Sequence, residues 1–270
     1  MLHAMQALAI LATYNEERFI GGCLEHLFAH GVEAYLCDNG STDGTVAIAS
    51  RYLGAGLRAI EPIPRDGTYR WRRILRRKED LAAELAADWF LHLDADEVPL
   101  PPRPDQTLAE ALAEADASGY NAVEFAELTF VPTREAPDHD HPDFRRTMRW
   151  YYPFAPADPH LVRAWKRQPQ RVDLAGSGGH VVSFAGRRIS PRRFRLRHYL
   201  FLSREHAIRK YVGKTYDPEE LRDGWHGWRA ALAADAVRLP SQAKLRTAGD
   251  DDDLDLSSPR TTHCLLWGDP

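Results

Sequence analysis

Four short apolar runs, each followed by a polar cluster, occupy the first hundred positions of this 270-residue chain. Residues 7–13, 32–37, 57–60 and 89–93 are too short for ordinary helices and nearly unbroken in hydrophobicity, the pattern of strands buried on both faces. Helical stripes separate them. Over residues 16–30, Phe19, Ile20, Cys23, Leu24, Leu27 and Phe28 share one face, and Gly31 is a fitting stop. Asn39-Gly40 breaks the second run, and Ser41 or Thr42 is the expected cap of a helix reaching about Tyr52. A basic stretch from Arg65 to Lys78 leads into a third helix ending near Ala87. The order β-α-β-α-β-α-β predicts an α/β fold with a doubly wound, mostly parallel sheet flanked by helices.

Beyond Pro99 the texture changes. Residues 107–117 read as a helix and 122–131 as a strand. Residues 132–159, rich in Pro, Asp, His and Arg, read as a long functional loop. Short strands are expected near 161–165, 181–184 and 194–199, and helices over 203–212 and 219–234. Pro218 suits the first turn of the last helix. The acidic run Asp250 to Asp253 belongs to a loose tail.

Composition removes several classes. A net charge of −4 gives no electrostatic footprint for nucleic acid. Cys23, Cys37 and Cys264 lack pairing or metal-ligand spacing, so a reducing compartment, the cytoplasm, is expected. The apolar residues 1–12 lack a basic n-region and stop at Tyr14-Asn15-Glu16-Glu17, so a buried first strand is expected rather than a signal peptide. No run approaches the ~18 apolar residues of a membrane span. Membrane contact is expected to be peripheral at most, at the inner face.

Three polar clusters close predicted parallel strands: Thr13-Tyr14-Asn15-Glu16, Asp38-Asn39-Gly40 and Asp94-Ala95-Asp96-Glu97. In open α/β sheets that edge binds ligands. Asp94 and Asp96 repel one another unless a cation lies between them, and oxygen ligands suit Mg²⁺ or Mn²⁺. The plain alternatives are a solvated acidic turn for this pair, a turn former for Asp38 and a first-turn helix acid for Glu16.

The motifs Ala-Thr-Tyr-Asn-Glu-Glu, Cys-Asp-Asn-Gly-Ser-Thr-Asp-Gly-Thr and Trp-Phe-Leu-His-Leu-Asp-Ala-Asp-Glu-Val, with their spacing, resemble family 2 glycosyltransferases of the GT-A fold, bacterial branch. Weaker similarity continues through Gly178-Gly179-His180 and Arg197-His198-Tyr199. The resemblance implies a nucleotide-sugar half over residues 1–100, an acceptor-side half over 101–215, and a C-terminal helix and tail over 216–270. It implies that Thr13, Asn15 and Glu16 line the nucleotide pocket and that Asp38 binds the base. Asp94 would approach the ribose or sugar and share a divalent metal with Asp96 and His198. Arg73 or Arg77 would meet the donor. The implied reaction is inverting transfer of a sugar, UDP-linked in the expected case, to a hydroxyl of a glycan, lipid-linked or small-molecule acceptor in polysaccharide biosynthesis.

The base is harder to read, because no acidic motif follows the metal cluster. His180, behind flexible Gly176-Ser177-Gly178-Gly179, is the first candidate, with Asp143 and Glu127 as rivals. The alternative to an enzyme is a non-catalytic nucleotide-sugar or glycan-binding descendant. A dinucleotide-binding fold is disfavoured, since no G-x-G-x-x-G follows the first strand.

Overall fold

The computed structural model describes residues 5–249 and 254–267. In chain order the strands and helices are β1 (Ala7–Thr13), α1 (Ile20–Ala29), β2 (Val32–Asp38), α2 (Thr45–Ala49), β3 (Leu57–Pro62), β4 (Thr68–Tyr69), α3 (Trp71–Glu84), β5 (Trp89–Asp94), β6 (Glu97–Leu100) and α4 (Leu108–Ala117). They continue with β7 (Ala122–Phe130), α5 (Phe144–Thr147), β8 (Trp150–Phe154), β9 (Leu161–Lys166), β10 (Phe194–Tyr199), α6 (Arg204–Tyr211), β11 (Thr215–Tyr216), α7 (Pro218–Arg222), α8 (Gly227–Ala230) and β12 (Arg246–Thr247). The chain forms two compact units: Met1–Asp66, Arg70–Phe125 and Pro159–Leu196 make the first; Gly67–Tyr69, Ala126–Asp158 and Arg197–Pro270 make the second.

The first unit holds the α/β core. Its strands run β9-β5-β1-β2-β3; β5, β1, β2 and β3 are mutually parallel and β9 is antiparallel. Centrality explains composition. In β1, Ala7 to Leu11 are 0–1% exposed and need apolar side chains on both faces, whereas the edge strand β3 buries only Leu57 fully. On α1, Ile20, Cys23, Leu24 and Leu27 form the buried stripe, and Gly31 at φ +72° ends the helix in the left-handed region. The helix starts at Ile20 rather than Glu16, because Asn15 sits at φ +58° and the chain turns before the helix begins. The N-cap of α2 is Gly44, which gives no side-chain cap. Asp43, not Ser41 or Thr42, accepts the Thr45 N–H at 2.9 Å, while Ser41 and Thr42 bind Asn15.

The second unit is built on aromatic packing. The far half of β7 pairs antiparallel with β8, and β8 with β12. Phe130 stacks between Tyr151 and Tyr199 at 5.3 and 5.1 Å, and Phe144 meets Tyr199 edge-on. A neighbouring cluster gathers Val131, Tyr152, Phe154, Leu200, Phe201, Ala207, Tyr211, Val237, Leu239, Cys264 and Leu265. Residues 132–159 are therefore not one long loop. They carry α5 and β8, whose Trp-Tyr-Tyr-Pro-Phe sequence is rich in strand-forming aromatics. The helix expected over 219–234 is broken into α7 and α8, because Gly224 (φ +82°) and His226 (φ +57°) turn left-handed between them. Residues 181–184 make only isolated bridges, Val162 to Val181 and Asp173 to Ser183, and no strand. The acidic run at 250–253 lies outside the described residues.

Candidate active site

Strand register brings the three sequence clusters to one edge. Thr13 lies opposite Asp38 on β2, and Ala12 opposite Asp94 on β5. Asp38 and Asp94 thus flank β1, at backbones roughly 10 Å apart by two strand spacings. The carboxyl ends of parallel strands leave loop N–H groups and side chains facing outward, which is why ligands bind there.

The loops after β1 and β2 are laced together. Asn15 donates its N–H to Ser41 Oγ at 3.0 Å, and its Oδ1 accepts the Thr42 N–H at 2.8 Å. Glu16 N–H meets Thr45 Oγ1 at 2.7 Å, and Asn39 N–H meets the Thr13 carbonyl at 2.8 Å. Asp38, only 6% exposed, accepts the N–H groups of Gly40 and Ser41 on Oδ2 and the Thr13 hydroxyl on Oδ1. Three of about four lone-pair sites are filled, leaving one on Oδ1 for an outside donor. Asp38 is therefore a turn former with residual acceptor capacity. Arg65 closes the cluster: Nη1 donates to Asn39 Oδ1 at 3.0 Å, and the guanidinium lies 3.8 Å from the Tyr14 ring centroid.

Asp94 ends β5, and Ala95-Asp96 forms the tight turn into β6. Asp94 is half-buried and Asp96 buried. A polar frame lies beneath them. Glu97 Oε2 accepts the Asp94 N–H at 2.9 Å, and Oε1 accepts Arg163 Nη1 at 2.7 Å in a buried ion pair. Lys78, fully buried on α3, donates to the Leu93 carbonyl at 3.2 Å and reaches His92 Nδ1 at 2.8 Å. Burial lowers the Lys78 pKa to about 8, against the raising pull of Asp94. Burial, and then the nearby Lys78 and Arg163 charges, hold His92 well below the ordinary imidazole value.

His180 is exposed on the turn after the second residue of the Gly178-Gly179 pair. Its Nδ1 lies 3.0 Å from the Ser177 carbonyl, and its ring stacks at 5.7 Å on His160. A carbonyl only accepts, so Nδ1 carries the proton and Nε2 is the basic nitrogen. Of the two arginines expected at the donor, Arg77 is committed elsewhere: Glu61 holds it at 2.7 and 3.0 Å and Glu84 at 2.8 Å. These carboxylates raise its already high pKa. Arg73 is exposed on α3 and makes no ion pair among the described residues. In the second unit, Asp143 is 72% exposed with Arg146 3.8 Å away. There His198 Nδ1 meets Glu127 Oε1 at 2.7 Å, and Thr129 donates to the same oxygen at 3.0 Å. A carboxylate on the far ring nitrogen is how ligating histidines are held.

The family model for glycosyl transferase family 2 matches residues 9–167, more than half of the chain. The chain belongs to this family. It is 33% identical over 126 residues to the lipopolysaccharide core biosynthesis glycosyltransferase LpsC of Rhizobium meliloti (strain 1021). That match covers 46% of this chain and 42% of the relative, so the chain spans less than half of that protein's length. Among solved structures, S. aureus TarS is similar at 14% identity and a TM-score of 0.42, over 73% of this chain and 37% of that one. Glucosyl-3-phosphoglycerate synthase from Mycobacterium tuberculosis, solved with Mn²⁺, UDP and glucosyl-3-phosphoglycerate, is similar at 20% identity and a TM-score of 0.32, over 46% and 44%.

For a family 2 member, the donor set of Asp94 and Asp96 suits a hard cation. Mg²⁺ and Mn²⁺ are commonly held by one or two carboxylates, with phosphate and water completing the shell. Among the described residues, no group of three or more His, Cys, Asp and Glu side chains gathers in a geometry for a metal. Sequence reasoning missed the frame of Lys78, His92, Glu97 and Arg163, and the Arg65 contact. A signal was present for two of them: His92 interrupts an apolar strand, and Lys78 falls on the buried stripe of α3 between Ile74, Leu75, Leu81 and Ala82.

Proposed function

We propose that this chain transfers a sugar from a nucleotide-sugar donor, UDP-linked, to an acceptor hydroxyl with inversion at the anomeric carbon. The observation that carries the reading is the convergence of Thr13, Asp38 and the Asp94-Ala95-Asp96 turn on one edge of adjacent parallel strands in a family 2 chain. The remaining lone pair of Asp38 Oδ1 accepts the imide N–H of uracil. Asn15 and Glu16 line the same edge through their loop, and Arg73 on α3, without an ion pair among the described residues, is a cation for phosphate oxygens.

Asp94 and Asp96 would hold Mg²⁺ or Mn²⁺, which would supply Lewis-acid stabilisation to the negative charge of the diphosphate. His180 Nε2 takes the proton of the acceptor hydroxyl. The acceptor oxygen then bonds to the anomeric carbon from the face opposite the nucleotide. The bond from that carbon to the phosphate oxygen breaks, and its electron pair leaves on UDP. One displacement inverts the configuration, and the protein supplies no nucleophile. Similarity to the LpsC lipopolysaccharide core biosynthesis glycosyltransferase supports a saccharide acceptor in an envelope polysaccharide.

Calorimetric titration of UDP, GDP and TDP, with and without Mn²⁺, tests the donor half. Binding of UDP that requires Mn²⁺ is expected, with at least a tenfold loss in Asp96→Ala. Binding of no nucleotide by folded protein overturns the reading in favour of a non-catalytic descendant. Unchanged Mn²⁺ dependence in Asp96→Ala removes the metal assignment alone.

A further inference from the structure

We propose that Arg163 is a positioning residue that ties the acidic turn of Asp94 and Asp96 to the turn that carries His180. An unbroken chain of hydrogen bonds makes the link. The Asp94 N–H donates to Glu97 Oε2 at 2.9 Å, Glu97 Oε1 accepts Arg163 Nη1 at 2.7 Å, and Arg163 Nε donates to the Gly179 carbonyl at 3.0 Å. His180 is the next residue. The planar guanidinium suits this task, because its donors leave in fixed directions toward two acceptors. Both charged side chains are nearly enclosed, at 8% and 3% exposure, so water cannot replace either partner cheaply.

Two further contacts show that the Gly178-Gly179 turn is seated on the same strand end. Trp71 Nε1 donates to the Gly178 carbonyl at 2.8 Å. Gly179, at φ +90°, passes so close to β5 that an added Cβ would lie 3.0 Å from His92 Nε2, two residues before Asp94. The backbone there needs glycine for both reasons. The His180 turn is therefore held by side chains that also hold the donor-side turn, and a shift in one is felt by the other. What the two turns do rests on the function proposed above; the link between them does not.

Amide hydrogen exchange on the ligand-free protein tests the link. Arg163→Met should speed exchange at least tenfold both at residues 94–97 and at 179–181, with the β1 amides unchanged. Arg163→Lys keeps a charge for Glu97 but has a single head group. It should restore protection at 94–97 and leave 179–181 fast. Glu97→Leu, of similar size, removes both acceptors, so it should loosen both segments and stands in where Arg163→Met does not fold. In Arg163→Met or Glu97→Leu, faster exchange confined to one segment, or spread evenly through β1, overturns the proposal. In the same variants, UDP binding with Mn²⁺ should weaken severalfold more in Arg163→Met than in Arg163→Lys, a rescue that a merely structural role does not give. Wild type that fails to bind UDP defeats the donor reading and leaves the exchange result to decide the link.

Discussion

Lys78 shows how a single residue can contradict its class and still be explained. It lies on the buried face of α3, 0% exposed, with its ammonium between His92 Nδ1 and the Leu93 carbonyl. Burial disfavours the charge and brings its pKa from 10.5 to about 8. The unfolded chain therefore binds that proton more tightly than the fold does. Below about pH 8 both states are charged and the full penalty is present. From there up to about 10.5 the folded lysine is neutral while the unfolded one still holds its proton, so this residue adds stability as pH rises. Urea unfolding of wild type and Lys78→Met across that window should show the gap moving toward wild type by about 3 kcal/mol. A gap that does not change with pH would rule this out. Nothing in the identity of Lys78 announced burial; its helical spacing did, against the strong prior that lysine is exposed.

At the scale of elements, legibility followed periodicity. The strand at 194–199 and the helix at 107–117 match β10 and α4 closely, because alternation and the 3.6-residue stripe are local properties. The start of α4 is a capping box. Thr107 Oγ1 accepts the Glu110 N–H at 3.2 Å, and Glu110 returns a carboxylate to the Thr107 N–H at 2.8 Å. Thr107→Ala should cost about 1 kcal/mol in thermal or urea unfolding, with donor binding unchanged. The helix expected over 219–234 failed where conformation at single residues decided the matter. His226 adopts a left-handed backbone that few non-glycine residues take, and there its ring stacks on Tyr216 at 4.9 Å and meets Glu220 at 3.2 Å. Those partners are tertiary, and local propensity contains no trace of them. The strand β8 was hidden for a different reason: a composition heavy in Pro, Asp, His and Arg surrounds a five-residue aromatic core.

For the whole molecule, the proposed chemistry separates binding from turnover. His180→Ala should lower turnover by about 10²–10⁴-fold with donor affinity nearly unchanged, since its role is confined to the acceptor proton. Full turnover in that variant would send the search for a base elsewhere. Family 2 membership and the α/β core were legible from the first hundred residues, because apolar runs, glycine stops and terminal polar clusters are written in consecutive positions. The same text placed Thr13, Asp38 and Asp94 at strand ends, since strand ends are local features, and the sheet aligns them by register. Tertiary structure alone decided which charges serve the fold and which remain available. Arg73 and Arg77 are four residues apart on one helix, yet only Arg77 is locked between Glu61 and Glu84, and the sequence offers both alike. Glu97, Arg163 and Gly179 lie as much as 82 positions apart and meet through hydrogen bonds that exist only once β5, β9 and the glycine turn have packed. Sequence pattern carries what is periodic along the chain; the pairing of distant polar groups depends on three-dimensional distance, which no local pattern encodes.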